Sequence, residues 1–242
     1  MTVGSLFTGI GGFDLGLERA GFEIKFQVEI DPFCRKVLEK HWPQVKRYED
    51  VRTVGSELEH VDVVCGGFPC QDVSCAGPRT GIDGARSGLW SEMARLVRQL
   101  RPRYVIVENT EGLLERGFGR VLGDLAEAGY DAEWASLRAS DLGAPHERER
   151  LFLVAYSDAQ HGQAGLGLRD SEEWAIFAAD YPERLALWLA SAGLAPRMDD
   201  GIPTPLDRRL RTEAIGNAII PQLAEWIGRR IIEAEERLKV TA

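Results

Sequence analysis

Near its start the chain reads Gly4-Ser5-Leu6-Phe7-Thr8-Gly9-Ile10-Gly11-Gly12-Phe13, a short apolar run that passes directly into a glycine-rich turn. The apolar run predicts a strand, and the turn opens a helix. Glycines let the backbone approach a ligand closely, but such turns also serve tight packing, so both roles stay open. The stretch therefore predicts the first strand, turn and helix of an α/β fold.

The same alternation continues along the chain. Further strands are predicted at 24–30, 61–65, 104–107, 133–137 and 151–155. Helical spacing of apolar residues predicts helices over 89–100, 118–126 and 221–238, with a less regular helix at 181–194. Strands that alternate with helices favour a mostly parallel sheet covered on both faces. In such sheets ligands bind beyond the carboxyl ends of the strands.

Composition and charge limit the class of protein. The 242 residues are 44% hydrophobic, which is enough for one catalytic domain with a small appendage. No apolar stretch reaches the roughly 18 to 20 residues that cross a bilayer, and the first residues lack a secretory pattern, so a cytoplasmic protein without membrane contact is expected. The net charge of -9 does not attract a polyanion such as nucleic acid. Any contact with nucleic acid must therefore come from local basic clusters. These clusters are Arg95, Arg98, Arg101 and Arg103; Arg148 and Arg150; and Arg208, Arg209 and Arg211. A solvated helix surface is the favoured interpretation of the first.

The cysteines indicate a nucleophile rather than a metal site. No Cys-x-x-Cys pair occurs and no histidine lies at a zinc-ligand spacing, so no metal and reduced thiols are expected. Cys34 and Cys65 are predicted to be inert buried thiols. Cys70 differs, because it ends Gly66-Gly67-Phe68-Pro69-Cys70 after the third predicted strand and precedes a glycine-rich stretch, 74–88, that is typical of a lid. Cys70 is therefore the candidate nucleophile.

Acidic residues lie at the end of the second predicted strand and near the next turn. Glu29-Ile30-Asp31 places a carboxylate where nucleotide-binding sheets bond a ribose, and Asp50-Val51 suits an adenine amino group. Ordinary turn or cap acids remain the alternative. Neither a phosphate-binding Gly-x-x-x-x-Gly-Lys motif nor Gly-x-Gly-x-x-Gly is present, so a nucleoside without a polyphosphate fits better than ATP or NAD.

The fourth and last strands supply further polar groups. Glu108 emerges from the apolar run 104–107, where desolvation would raise its pKa and let it donate a proton. Arg148 and Arg150 precede the last predicted strand and point to one side of an extended segment.

In this order the motifs resemble the DNA (cytosine-5)-methyltransferase family. The resemblance covers 4–155 and 214–230, and its most specific pieces are Pro69-Cys70-Gln71, Glu108-Asn109 and Gly216-Asn217-Ala218-Ile219. It implies a Rossmann-like methyltransferase sheet and the cofactor S-adenosyl-L-methionine. The implied cofactor pocket is lined by Phe7, Gly9, Ile10, Gly11, Gly12, Glu29, Ile30, Asp50, Val51, Phe68, Pro69, Leu89, Asn217 and Ala218.

The resemblance also implies a mechanism on double-stranded DNA. Cys70 would attack carbon 6 of a flipped cytosine while Glu108 bonds ring nitrogen 3 and the exocyclic amine. Arg148 and Arg150 would steady the base and the thiolate. The predicted substrate-binding residues are Gln71, Ser74, Asn109, Arg208, Arg209 and Arg211.

This chain departs from the family pattern at several places. His146 stands where glutamine is usual, and Thr110 where valine is usual. The expected organisation is a catalytic core at 1–157, a short target-recognition region at 158–210, and a C-terminal helix at 211–242 that returns to the core. The short recognition region resembles compact members from phages and some bacteria. The short region predicts short or relaxed recognition of the DNA sequence. An accessory protein that helps to bind DNA is a further possibility.

Three alternatives stay open. An RNA (tRNA) cytosine-5 methyltransferase shares the core but usually carries a Cys-Phe-Thr run, and no cysteine follows Cys75 here. A catalytically idle cofactor-binding regulatory homologue would have no reason to keep Cys70, Glu108, Arg148 and Arg150 together. If the chain were an unrelated α/β protein, the occurrence of all these features at strand ends would need another explanation.

Overall fold

The computed structural model describes residues 1–69, 88–142, 148–157, 166–168 and 218–241. Within these residues, seven strands form one sheet. They are β1 (Thr2–Leu6), β2 (Glu23–Val28), β3 (Lys46–Tyr48), β4 (Val63–Gly66), β5 (Tyr104–Asn109), β6 (Tyr130–Arg138) and β7 (Glu149–Ser157). The described helices are α1 (Gly12–Arg19), α2 (Pro32–His41), α3 (Leu89–Leu100), α4 (Gly112–Arg116), α5 (Phe118–Glu127) and α6 (Pro221–Thr241), besides a 3-10 turn at Ala139–Leu142. None of these described helices is long and apolar enough to cross a membrane.

The strand order is β3-β2-β1-β4-β5-β7-β6. The pairs from β3 to β5 are parallel, whereas β7 runs antiparallel to both β5 and β6. Six of the seven described strands therefore point the same way, which confirms the predicted, mostly parallel α/β sheet. The reversal of β7 and the short edge strand β3 were not predicted.

The sheet is covered on both faces, as predicted. One core contains apolar residues of α3, α4 and α5, and the other contains those of α1 and α6. The central strand β5 shows the reason for this arrangement: Val105 and Val107 enter the first core, while Tyr104 and Ile106 enter the second. A strand that is buried on both faces carries a continuous apolar run instead of an alternating one.

Glycines allow α1 and α6 to pack at very short range. A methyl carbon built on Gly12 would lie 2.2 Å from the carbonyl oxygen of Ile219, and one on Gly16 would lie 2.1 Å from that of Pro221. From the other side, a methyl carbon on Gly228 would lie 2.8 Å from Cβ of Ala20. The glycine seam, formed by Gly12, Gly16 and Gly228, therefore brings the start of α6 against the turn that opens α1.

Gly16→Ala tests the seam. Because backbone and Cβ atoms occupy the space, we expect overpacking to lower the free energy of unfolding by about 1–3 kcal/mol. Gly123→Ala is the matched control, since Gly123 is exposed in α5 and has no atom near a built Cβ. That substitution should raise stability by up to about 1 kcal/mol through helix propensity. Urea denaturation of both variants measures the change in the free energy of unfolding. Equal stabilisation by the two substitutions would contradict tight packing at the glycine seam.

The residues 166–168 belong to the second core. Leu166 and Leu168 are buried there, and the carboxylate of Glu133 on β6 accepts the N–H groups of Leu166 at 2.5 Å and Gly167 at 3.1 Å. Arg230 on α6 donates to the carbonyl of Leu166 at 2.9 Å. The chain is thus fixed to the core shortly after β7. The predicted region boundaries stay predictions, and the predicted helix at 181–194 lies outside the described residues.

Candidate active site

The predicted site residues that the structure describes lie at or beside one edge of the sheet. The carboxyl ends of β2, β1, β4 and β5 follow one another along this edge. Because β7 is antiparallel, its amino end completes the edge, so Arg148 and Arg150 reach it from the start of a strand. The chain direction of the crossovers changes between β1 and β4, which is where open α/β sheets form a crevice for ligands.

The turn after β1 combines the two roles that its glycines left open. Gly9 has φ of 58° and open space around a built Cβ. Gly11 has φ of 89°, and a Cβ there would lie 2.4 Å from the ring of Trp42. Phe7, a bulky residue, also takes a positive φ of 51°, a conformation that costs energy and often marks a functional turn. Gly9 therefore faces open space, whereas Gly11 and Gly12 serve packing. Ile10 is half-buried between them.

Glu29 holds this turn from the end of β2. Its Oε2 accepts the N–H of Gly9 at 2.7 Å, and its Oε1 accepts the N–H of Asp31 at 2.8 Å. Only 9% of Glu29 is exposed, and burial raises the pKa of its carboxyl group. Each oxygen keeps a lone pair for a further donor. The neighbouring Ile30 is 61% exposed, which leaves an apolar side chain beside a carboxylate at the crevice.

Asp50 lies two residues beyond β3 at the same edge. Arg52 donates to both carboxylate oxygens at 2.6–3.0 Å, and this contact lowers the pKa of Asp50. Val51 is buried in the first core. An amino group from a ligand would therefore meet a carboxylate that Arg52 already orients.

Glu108 is the centre of the other half of the edge. The register pairs it with Phe152 on β7, so Arg150, two residues earlier, lies on the same face of the sheet. Arg150 Nε lies 3.2 Å from Glu108 Oε1. A methyl carbon built on Gly67 would lie 2.7 Å from Glu108 Oε2. The backbone after β4 therefore lies beside the carboxylate, and a larger residue at position 67 would displace the carboxylate oxygen.

Burial and charge act on Glu108 in opposite directions. Only 8% of the residue is exposed, and desolvation raises its pKa above the ordinary value. The guanidinium groups of Arg150 and Arg148 lower it, but less strongly. The net rise favours a protonated carboxyl group that can act as a hydrogen-bond donor or a general acid.

Asn109 connects the ends of β4 and β5 beside Glu108 through hydrogen bonds. It is 2% exposed, its Nδ2 donates to the carbonyl of Phe68 at 3.1 Å, and its Oδ1 accepts the N–H of Thr110 at 2.9 Å. Phe68 is buried against Trp90, while Pro69 and Leu89 are half-buried. These contacts hold the segment that leads to Cys70. The predicted substrate contact of Asn109 stays a prediction.

Several predicted site residues lie outside the described residues. They are Cys70, Gln71, Ser74, Arg208, Arg209, Arg211 and Asn217. Ala218 is described and precedes Ile219, a residue of the motif Gly216-Asn217-Ala218-Ile219 that was not among the predicted site residues. Cδ1 of Ile219 would lie 3.5 Å from a methyl carbon on Gly67, and its carbonyl oxygen abuts Gly12. Ile219 therefore touches both halves of the edge. Its only sequence signal is its position after Asn217-Ala218.

Cys34, Cys65, Arg98 and Arg103 have structural contacts away from the candidate site. Cys34 and Cys65 are buried and free, and burial raises the pKa of both thiols, that of Cys34 to about 12. Arg98 pairs with Asp124, and Arg103 with Glu235. Among the described residues, no group of three or more His, Cys, Asp or Glu side chains is arranged to hold a metal ion.

Comparison with known proteins identifies the family. The model of the C-5 cytosine-specific DNA methylase family matches residues 1–183. The chain belongs to this methylase family. The Type II methyltransferase M2.BsuMI of Bacillus subtilis (strain 168) is 38% identical over 163 residues, which are 64% of this chain and 42% of that protein. M.FnuDI of Fusobacterium nucleatum is 38% identical over 157 residues, with 63% and 46% covered.

A solved structure of the methylase family supports the same fold. It is an E. coli prophage-encoded protein assigned as a DNA modification methyltransferase, 29% identical, with a TM-score of 0.57 over 66% of this chain and 47% of that one. The chain spans less than half the length of each of these three proteins.

Proposed function

We propose that this chain transfers a methyl group from S-adenosyl-L-methionine to carbon 5 of cytosine in DNA. The observation that carries the proposal is the convergence of Glu108, Arg150 and Gly67, three residues far apart in the chain, at one edge of the sheet. The names of the relatives, all Type II methyltransferases, support it.

The residues of the other half fit the cofactor. The open side of Gly9 accepts a nucleoside, the free lone pairs of Glu29 suit the hydroxyl groups of a ribose, and exposed Ile30 offers an apolar surface for a base. The rest of the proposed lining is Phe7, Ile10, Gly11, Gly12, Asp50, Val51, Phe68, Pro69, Leu89, Asn217 and Ala218. S-adenosyl-L-methionine, when bound, would supply the methyl group.

The chemical steps follow from the nature of the side chains. The target cytosine must leave the duplex, because its carbon 6 is stacked there. The thiolate of Cys70 adds to carbon 6, and Arg148 and Arg150 stabilise the thiolate. Glu108 donates its proton to ring nitrogen 3, which leaves carbon 5 nucleophilic. Transfer of the methyl group to carbon 5 leaves S-adenosyl-L-homocysteine. The proton on carbon 5 then goes to water, the double bond to carbon 6 forms again as the thiolate of Cys70 leaves, and ring nitrogen 3 returns its proton to Glu108.

Recognition of the DNA sequence is assigned to the region 158–210 and its basic end. Arg208, Arg209 and Arg211 would contact phosphates or bases, and an accessory protein would add to recognition. The alternatives, RNA methylation and an idle regulatory homologue, gain no support from the relatives.

Expression in a bacterium without cytosine methylation tests the proposal. Bisulfite sequencing of its DNA should reveal protected cytosines in a recurring short motif, and cells with the empty vector should show complete conversion. The RNA of the same cells, sequenced after the same treatment, should match the vector control. Complete conversion of the DNA in expressing cells would refute an active DNA methylase, and new protection only in RNA would favour the alternative.

A further inference from the structure

We propose that Arg95 is a positioning residue for the adenine end of the cofactor site, an inference that rests on the proposed function. Arg95 lies on α3 and is partly exposed. The sequence placed it in a basic cluster without a specific role. Its contacts connect α3 to residues 50–54, called here the 50–54 turn.

The hydrogen bonds of Arg95 hold the 50–54 turn at two points. Its Nη2 donates to the carbonyl oxygens of Val51 and Val54, both at 2.9 Å. Its Nε donates to Glu92 at 2.8 Å, which fixes the direction of the guanidinium group. A planar guanidinium suits this task because its donors have a fixed geometry.

The pairing of β3 with β2 fixes the start of the turn, and apolar packing adds to the hydrogen bonds of Arg95. Val51 and Val54 are each 5% exposed and pack in the core that contains Met93 and Val97 of α3. Apolar packing is not directional, so it holds the turn against α3 without selecting one orientation. Hydrogen bonds to two carbonyl groups supply that direction.

The orientation of the turn determines where Asp50 points. The carbonyl oxygen of Asp50 accepts the N–H of Thr53 at 3.0 Å, so Asp50 belongs to the same rigid turn. Arg52 then orients its carboxylate. Since Asp50 and Val51 are the proposed partners of adenine, Arg95 acts on cofactor affinity through them and touches no reacting atom.

Arg98 provides a matched control on the same helix. It is one turn further along α3 and pairs with Asp124 at 3.4 Å rather than with the 50–54 turn. Arg95→Ala and Arg98→Ala therefore remove the same charge from the same helix. Only the first removes the contacts with the turn.

Calorimetry with S-adenosyl-L-methionine and with adenosine tests the inference on the purified full chain. We expect Arg95→Ala to raise both Kd values by a similar factor, on the order of tenfold or about 1.4 kcal/mol, because both probes carry adenine. At saturating cofactor, kcat for methylation of DNA should change less than about twofold, as for a loss of binding alone. Arg98→Ala should leave both Kd values unchanged.

The outcomes separate this inference from the proposed function. If the wild type binds the probes and Arg95→Ala binds them equally well, or loses kcat instead of affinity, the positioning role is wrong. If the wild type binds neither probe, the proposed function is wrong and the inference falls with it. Should Arg95→Ala fail to fold, Arg95→Lys replaces it, since it keeps the charge but not the fork; it too should weaken binding of both probes.

Discussion

Glu108→Gln is expected to lower kcat for methylation of DNA by at least about 100-fold, the usual contribution of a positioned general acid. The amide has nearly the same shape, but it cannot deliver a proton to ring nitrogen 3. Arg150 would keep a neutral acceptor at the same place, so the local geometry should survive. Single-turnover kinetics with radiolabelled cofactor measures the chemical step directly, and the Kd for S-adenosyl-L-methionine should stay within about twofold of the wild type.

Glu149→Gln is the matched control for this prediction. Glu149 is the neighbour of Arg150 at the start of β7, and it pairs with Arg138 at 3.1 Å rather than with the candidate site. Its loss should change kcat less than about threefold, since an exposed ion pair contributes less than about 1 kcal/mol. A Glu108→Gln variant as active as Glu149→Gln would exclude Glu108 as the proton donor.

Asp14→Asn is expected to stabilise the protein by about 3 kcal/mol at pH 8. Asp14 on α1 is fully buried, and burial raises its pKa from 3.8 to about 6. Its carboxylate accepts from Ser5 Oγ at 2.9 Å and from Gln27 Nε2 at 2.8 Å. Asparagine can accept from Gln27 and donate to Ser5, whose hydroxyl also accepts, so the substitution removes the buried charge and keeps both contacts.

The pH dependence provides the sharper test of Asp14. A carboxyl group with a raised pKa in the folded state binds more protons there than in the unfolded chain between about pH 4 and pH 6, so the fold loses stability as the pH rises through this range and no more above it. The advantage of Asp14→Asn should fall to about half at pH 5 and disappear below about pH 4. Urea denaturation at these pH values measures it.

Asp131→Asn, at an exposed position on β6, is the control and should change stability by less than about 0.5 kcal/mol at pH 8. A less stable Asp14→Asn at pH 8 would mean that the charge on Asp14 stabilises the fold.

Most of the fold follows from local patterns in the sequence. The apolar run at 104–107, which forms most of the strand Tyr104–Asn109, and the helical spacing at Leu89–Leu100 were both recognisable, because a buried strand and an amphipathic helix leave characteristic patterns. The strand Lys46–Tyr48 left none, since it has three residues, two of them basic, and exists through pairing with β2. The direction of β7 depends on a connection whose geometry no local pattern encodes.

The site residues also divide into those that the sequence predicts and those that depend on contacts between distant parts of the chain. Glu29, Glu108 and Arg150 follow from the rule that functional residues lie at strand ends, and the structure brings Glu108 and Arg150 together. The contacts of Arg95 and Ile219 could not be predicted, because their partners are distant in the chain. Gly67 had a signal in the pair Gly66-Gly67, but its reason, contact with a carboxylate from the next strand, exists only in three dimensions. The buried contacts of Asp14 with Ser5 and Gln27 were not predicted, because an aspartate in the first turn of a helix is usually exposed.

The reversed direction of β7 has a consequence for engineering. Because β7 starts beside Glu108, it ends at the opposite edge of the sheet, where Ser157 bonds to Arg103. Leu166 and Gly167 then bond to the carboxylate of Glu133. The chain returns to the core at Ile219, which lies beside Gly12. The segment 169–217 is thus attached to the core at two fixed points, neither of which lies within a catalytic strand. If the region 158–210 recognises DNA as proposed, a graft of residues 169–210 from another member of the family would exchange DNA specificity and leave Asn217 and the reacting groups in place.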